Sequence, residues 1–322
     1  MPFVWLMSKL VELEWKEERV GNGRDVFKRL EKKYLLDCFQ RNSVMDALAC
    51  SHRVDAYGTS TVTSLYFDTD RFNLIERSLE KPLYKEKLRL RAYGADEGAL
   101  LLHMFTDCGE QRRVISAART LPVFLEIKTK YDGVVYKRRI ALPLEAARAY
   151  LEGVPYEKVK RLLCWTDFAD PLEQSQKRTA QIVAEIDALM NRHGLLTPSV
   201  MIACERTALE PLETALSERK ELRVTFDEGV RALNLRQSNP VWFPVLDRHT
   251  QLMEVKNSGA LDITFARLLS QENLYPCSFS KYGNAYRILQ RQSQGCLQNH
   301  QQTHRQQHSQ DYSHQEKGEY CA

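Results

Sequence analysis

The sequence predicts an α+β protein built on an antiparallel sheet with helices covering one face. Three observations predict it. Five segments alternate apolar and charged residues with the two-residue period of a strand. Tyr131-Asp132-Gly133 separates two of them at hairpin distance. Helix-period patches at about 144–152 and 174–192 interrupt the run of strands. The chain has 322 residues, enough for about two domains or one long barrel. Its 43% hydrophobic and 27% charged composition is ordinary for a globular protein, which excludes collagen-like, wholly disordered and membrane-spanning classes.

In order along the chain, residues 1–23 read as a charged leader ending in the flexible join Gly21-Asn22-Gly23. The ordered domain spans 24–289 and opens with the strand-like FKRLEKKYLL. A short helix is expected over 41–50, and Thr61–Asp68 is a strand rich in β-branched and aromatic residues. Leu83–Ala92 alternates as a strand, then Val123–Lys130 and Val134–Leu142 form the hairpin. Val200–Ala208, Leu222–Phe226 and Gln251–Asn257 are further strands, followed by a helix at about 260–270. Residues 95–122 are weakly patterned and read as a long loop or insertion. Residues 290–322 are rich in Gln, His and Ser and nearly without aliphatic side chains, so they are expected to be disordered. His300, His304 and His308 recur every four residues, but nothing there favours a helix, and a solvated tail is the simpler reading.

Lys and Arg total 46 against 42 Asp and Glu, a net charge of only +4. A generic nucleic-acid binder carries a larger basic excess, so no nucleic-acid partner is expected. Any anion must be met by locally placed charge. Eight cysteines show no CxxC spacing and fit reduced thiols. The N-terminal segment lacks the basic region and cleavage site of a signal peptide, and no apolar run approaches the ~20 residues that span a bilayer. A cytoplasmic location is the expectation.

The charged faces of the strands are the informative feature. Lys87, Arg89 and Arg91 share a face opposite Leu88 and Leu90. Glu126, Lys128 and Lys130 oppose Val123, Leu125 and Ile127; Lys137 and Arg139 sit together, with Arg138 interrupting the apolar side. Arg223, Thr225 and Asp227 oppose Leu222, Val224 and Phe226, and Glu254 and Lys256 oppose Met253 and Val255. An ordinary sheet would explain one such strand as a solvated outer face. Across five strands the bias toward Lys and Arg exceeds what a mixed solvent face shows. If the sheet closes into a barrel, these faces share one lumen, and unpaired cations there call for water, counter-ions or a polyanion. Arg forks and Lys charges suit phosphate chains.

RLEKKYLL, SLYFDT, KLRLRAYG, FLEIKTKYDGVVYKRR, CERTAL, LRVTFD, LMEVKNSGAL and LYPCSFSKYGNAY, in this order, resemble the VTC (vacuolar transporter chaperone) domain. This is a polyphosphate polymerase domain of the triphosphate tunnel metalloenzyme, or CYTH-like, superfamily. The resemblance runs from about Val26 to Tyr286. It implies an antiparallel β-barrel tunnel with helices packed outside, a divalent ion (Mn2+ or Mg2+), and transfer of the terminal phosphoryl group of ATP to a growing polyphosphate chain. The membrane-spanning and inositol-phosphate-sensing modules of fungal complexes have no counterpart in the sequence, which is similar to the stand-alone bacterial form. A membrane-protein partner would have to be encoded elsewhere.

The resemblance also implies site residues. Lys33, in Arg29-x-Glu31-x-Lys33, matches the phosphate ligand of the first strand. Glu12-x-Glu14-x-Lys16 fits the superfamily's plain ExExK signature better, but only KKYLL after Glu31 continues the family pattern. Arg89 and Arg91 match the RLR motif, and Lys128, Lys137, Arg206 and Arg223 match further phosphate-binding positions. Ser280 and Lys281 match a Ser-Lys pair beside the transferring phosphate, with Lys281 catalytic. Glu254 corresponds to the metal-ligating glutamate, and Glu126 is a second metal candidate that could instead neutralise Lys128 or Arg89. Cys204 stands where the family usually has Tyr, and Asp68 reads as structural. A triphosphate hydrolase and a non-catalytic polyphosphate-binding module remain as competing readings.

Overall fold

Residues 30–106, 121–132, 134–162, 173–212, 222–257 and 261–294 are described by a computed structural model. The leader with Glu12, Glu14 and Lys16, then Arg29, residues 107–120, Gly133 and the tail from 295 lie outside the described residues. The strands are β1 (Leu30–Leu36), β2 (His52–Asp68), β3 (Tyr84–Tyr93), β4 (Pro122–Tyr131), β5 (Val134–Pro143), β6 (Thr197–Pro211), β7 (Arg223–Asn234), β8 (Trp242–Pro244) and β9 (Gln251–Asn257). They form one antiparallel sheet in the order β1-β9-β7-β6-β2-β3-β4-β5, with β8 added to β7. Among the described residues no ladder joins β5 to β1. The sheet nevertheless curls until its ends face each other: Lys128 on β4 feels Glu31 on β1, and Lys137 on β5 acts on Lys256 on β9.

Alternation places the apolar side chains on the convex face, where helices cover them. Leu88, Leu90, Leu125 and Ile140 pack with α4 (Leu144–Leu151) and α6 (Glu173–His193). Tyr34, Phe226, Met253 and Val255 pack with α1 (Cys38–Leu48) and α7 (Ile263–Gln271). Helix α1 begins at Cys38 because Asp37 accepts from the amides of Phe39 and Gln40, and the Gln40 side chain accepts from the Asp37 amide. Arg138, the exception on the apolar face, reaches Glu185 on α6.

The structure departs from the expectations in two places, at 95–122 and beyond 289, and adds to them elsewhere. The stretch 95–122 is not one long loop: Ala95–Phe105 is helix α3, whose Gly98 lies where an added Cβ would come within 2.4 Å of the Thr63 hydroxyl. Helices α2 (Asn73–Leu79) and α5 (Tyr156–Leu162) were not expected. The order does not stop at 289, since the final helix α8 runs over 281–294, with Leu289 buried and Gln290 donating to the Tyr286 hydroxyl at 2.5 Å. Helix α8 also reaches inward. The α8 residues Tyr282, Ala285, Tyr286 and Leu289 cluster with Val62, Tyr66, Ile202 and Cys204 on the concave face, where Tyr66 also meets Arg89.

Among the described residues no helix is long and apolar enough to cross a membrane. Cys38, Cys50, Cys204 and Cys277 are free thiols.

Candidate functional site

One wall of the concave lumen is built by β3, β4 and β5. Their register sets Arg89 opposite Glu126 and Glu126 opposite Arg139. Glu126 is 1% exposed and receives Arg89 Nε at 2.6 Å and Nη2 at 2.5 Å on Oε2, with Lys137 Nζ 3.1 Å from Oε1. Arg139 and Arg91 stand 3.9 and 4.0 Å from the same Oε1. Burial opposes charge on Glu126, but Arg89, Arg91 and Lys137 outweigh it and hold the carboxyl well below its usual range. Tyr66 accepts from Arg89 at 3.0 Å; burial would raise its pKa, yet Arg89, Lys87 and Arg91 pull it down to about 8.

The facing wall comes from β1, β9, β7 and β6, with α8 entering from the end. Asp227 is fully buried and grips Arg206 through two bonds of 2.6 and 2.7 Å. Lys281, the first residue of α8, donates to the same carboxylate. Glu254 lies beside Lys33 at 3.4 Å and Arg206 at 3.8 Å, while Glu31 is 3.5 Å from Lys33. This follows from register, since Lys33 on β1 and Thr225 on β7 both pair with Glu254 on β9. Burial disfavours ionised Glu254, but Lys33, Lys281 and Arg206 keep it ionised well below the usual range. Burial likewise opposes the Lys33 charge, and Glu254 with Glu31 overrides it.

Between the walls lies the loop before α8. Ser280 Oγ accepts from the Gly283 amide at 3.1 Å, capping α8, and from Lys87 Nζ at 3.1 Å. Lys33 Nζ donates to the Phe279 carbonyl at 3.0 Å. Burial pushes Lys87 down to about 8, with Lys128, Lys85 and Lys33 adding to the push. Lys128 is lowered by burial and then by Lys33 and Arg89, with Glu31 opposing.

The structure therefore brings together Lys33, Arg89, Arg91, Lys128, Lys137, Arg206, Ser280, Lys281, Glu126 and Glu254 along one concavity. Arg223 is not brought into the Asp227 cluster: it heads β7 opposite Lys256, where its charge acts on Asp55. Asp227, Lys87, Tyr66 and Glu31 were not singled out from sequence. Each was already on a charged face or in a quoted motif, but its importance lies in contacts across strands. Cys204, 4% exposed, packs in the cluster with α8, and burial raises its thiol pKa. Asp68 is buried and accepts from Thr69, Leu74 and Ile75 amides and from the Tyr282 hydroxyl, which makes it an anchor for α2 and α8.

Among the described residues no group of three or more His, Cys, Asp or Glu could hold a metal alone. Mg2+ needs only one or two carboxylates when phosphates and water supply the rest. Glu254 and Glu31, on either side of Lys33, meet that requirement. Glu126 fits less well, because cations surround both oxygens, although its buried Oε1 accepts no hydrogen bond among the described residues.

A curled sheet lined by Arg and Lys, with oxygen donors for a divalent ion, defines a protein that binds phosphate-chain or nucleotide anions. The model of the VTC domain matches residues 28–290, and the chain belongs to the VTC domain family, a triphosphate-tunnel fold. No curated protein matches the chain. Among solved structures, a protein described as an adenylate cyclase from Bacillus halodurans aligns at 12% identity and a TM-score of 0.39, over 79% of this chain and 95% of that one. One described the same way from Vibrio parahaemolyticus aligns at 12% and 0.39, over 80% and 97%. The Mediator head module of Schizosaccharomyces pombe aligns at 11% and 0.29, over 76% and 88%. These likenesses are too weak to bring any activity to this chain.

Proposed function

We propose that the protein is an ATP-dependent polyphosphate polymerase that needs Mn2+ or Mg2+. The observation that supports this reading best is the convergence of Lys33, Arg206 and Lys281 around Glu254, facing Arg89 and Lys128 across the lumen. Arg89, Arg91, Lys128 and Arg206 hold the triphosphate of ATP by charge-assisted hydrogen bonds, with Lys137 and Ser280 at the margins of the same path. Arg223 would act farther along β7. A terminal oxygen of the acceptor chain attacks the γ-phosphorus in line. The bond from that phosphorus to the bridging oxygen of ADP breaks, and its electron pair leaves on ADP.

Such a transfer asks the protein mainly for alignment and charge stabilisation. Lys281, positioned by Asp227 and by the start of α8, stabilises charge on the transferring group. Glu254 with Glu31 would hold the divalent ion, which neutralises phosphate charge when bound. ATP and inorganic polyphosphate are the partners in this reading, and a cytoplasmic location would supply the ATP.

Purified protein incubated with ATP and Mn2+ tests the proposal when products are run on a gel for polyphosphate. Long chains support it. Free phosphate without chains would mean a hydrolase, and unchanged ATP a binding module.

A further inference from the structure

Along the β3–β4 pair, successive cross-strand pairs on the concave face are built in two ways. The Arg89–Glu126 pair continues to Arg139 on β5 and carries a carboxylate of its own between the cations. One step toward the start of β3, Lys87 faces Lys128, and Lys137 on β5 faces Lys128 in turn. One step farther, Lys85 faces Lys130. Among the described residues, no carboxylate lies within ion-pair distance of Lys85, Lys87, Lys128 or Lys130. Lys85 instead donates to the Ser78 carbonyl at 3.1 Å, and Lys87 to Ser280.

Like charges directly opposite on antiparallel strands destabilise a sheet. Two such pairs in succession, roughly 7 Å apart by strand geometry, make a double row of cations running from the lumen toward its margin. Both members of the outer pair are half-buried, so solvent does not fully disperse their charge. Burial, then Lys130, Lys128 and Lys81, lower the Lys85 pKa, as expected where positive charges crowd without counter-ions. A single triphosphate, held at Arg89, Lys128 and Arg206, has no use for this outer pair.

We infer that Lys85 and Lys130 form an outer subsite for the distal phosphates of a long polyphosphate chain, beyond the triphosphate site. The inference rests on the polymerase reading for its ligand class. Phosphates following those at Lys87 and Lys128 would lie between the two outer ammonium groups, neutralising a pair that the chain itself leaves uncompensated. The subsite gives the protein affinity that grows with chain length.

The test compares tripolyphosphate with a long-chain inorganic polyphosphate by direct titration, on wild type and on Lys85→Gln/Lys130→Gln. The expected result is tripolyphosphate affinity within about twofold of wild type and long-chain affinity about tenfold weaker, the size of two part-exposed charge contacts. A second variant, Lys130→Glu, puts a carboxylate opposite Lys85 and copies the arrangement at Glu126. It should raise the melting temperature while also weakening the long chain. Equal long-chain affinity in wild type and both variants overturns the inference. So does equal weakening of both ligands, which would place the pair in the triphosphate site. The polymerase reading fails separately, on a gel that shows no chains made from ATP.

Discussion

The two walls of the lumen share an inventory, Arg and Lys gathered round carboxylates, yet they use it differently. On the β3–β4–β5 wall, Glu126 is 1% exposed and both of its oxygens face cations. On the other wall, Asp227 is sealed in the same way, but Glu254 keeps 12% of its side chain exposed and Glu31 keeps 34%. A buried carboxylate ringed by guanidinium groups is a fixed counter-ion. It holds Arg89 and Arg91 in place for a ligand, and although its Oε1 accepts no hydrogen bond, an ion entering there would have to displace the cations round it. A wetted carboxylate beside a lysine can exchange that partner for an incoming ion. Chemistry is therefore expected on the second wall and anchorage on the first.

The largest effect should follow from breaking the anchorage. Glu126→Gln leaves Arg89 and its neighbours without their charge partner inside the protein. Loss of one member of a buried ion pair costs about 3–5 kcal/mol, to be read from urea unfolding at pH 7. The carboxyl is held below its ordinary range, so its contribution is complete above the unfolded value near about 4.3 and is lost only as pH falls through the folded value. Wild type and variant should converge in stability only in strong acid. A cost below about 1 kcal/mol at neutral pH would mean the cations are already satisfied by solvent, and the contrast between the walls would disappear.

Glu254→Gln probes the second wall. It should cost stability, since Lys33 and Arg206 lose a charge partner, while lowering metal-dependent turnover at least about 100-fold, or ~2.7 kcal/mol of barrier. Rates that match wild type across a Mn2+ titration would take Glu254 out of the site.

Much of this contrast was hidden in the sequence, although the sheet itself was not. Strand period is local, so the apolar and charged faces of β3, β4, β5, β7 and β9 could be read directly. Which carboxylate is sealed depends on register: Glu126 is caged because it falls opposite both Arg89 and Arg139, and no single strand carries that information. Helix α2 was missed for a related reason. Phe72 at its start makes no side-chain cap, and the amides of Leu74 and Ile75 are satisfied by Asp68 instead. Helix α3 was missed because Gly98 weakens its propensity, a residue that the close approach of Thr63 requires.

A smaller effect sits where the walls meet the cation row. Lys87 and Tyr66 are both shifted to about 8. Raising pH from 7 to 9 takes a proton from this interacting pair, and loss of the lysine charge or formation of a tyrosinate each opposes an anion. Tripolyphosphate affinity should fall about three- to tenfold over that range, whereas an ordinary lysine near 10.4 would leave it almost level. A flat profile to pH 9 would show that neither group faces the ligand.

The smallest effect concerns how the second wall is held. Tyr282 follows Lys281 on α8, stacks on Tyr66 at 4.4 Å, and donates to Asp68 at 2.8 Å, with Ser199 3.0 Å from its hydroxyl. Tyr282→Phe keeps the ring stack and removes only the hydroxyl. Asp68 then retains its three backbone amide donors, so the loss should be about 1 kcal/mol, the ordinary worth of one hydrogen bond. If the contact merely adds stability, turnover should stay within about twofold while the melting temperature falls. If it also sets where Lys281 enters the lumen, the rate of transfer should drop with little change in tripolyphosphate affinity. Lys281→Ala in the same assay gives the full size of that lysine's contribution. A Tyr282→Phe rate as low as that of Lys281→Ala would make the hydroxyl a positioning group for the second wall, with no counterpart on the first, where Glu126 is fixed by cations alone.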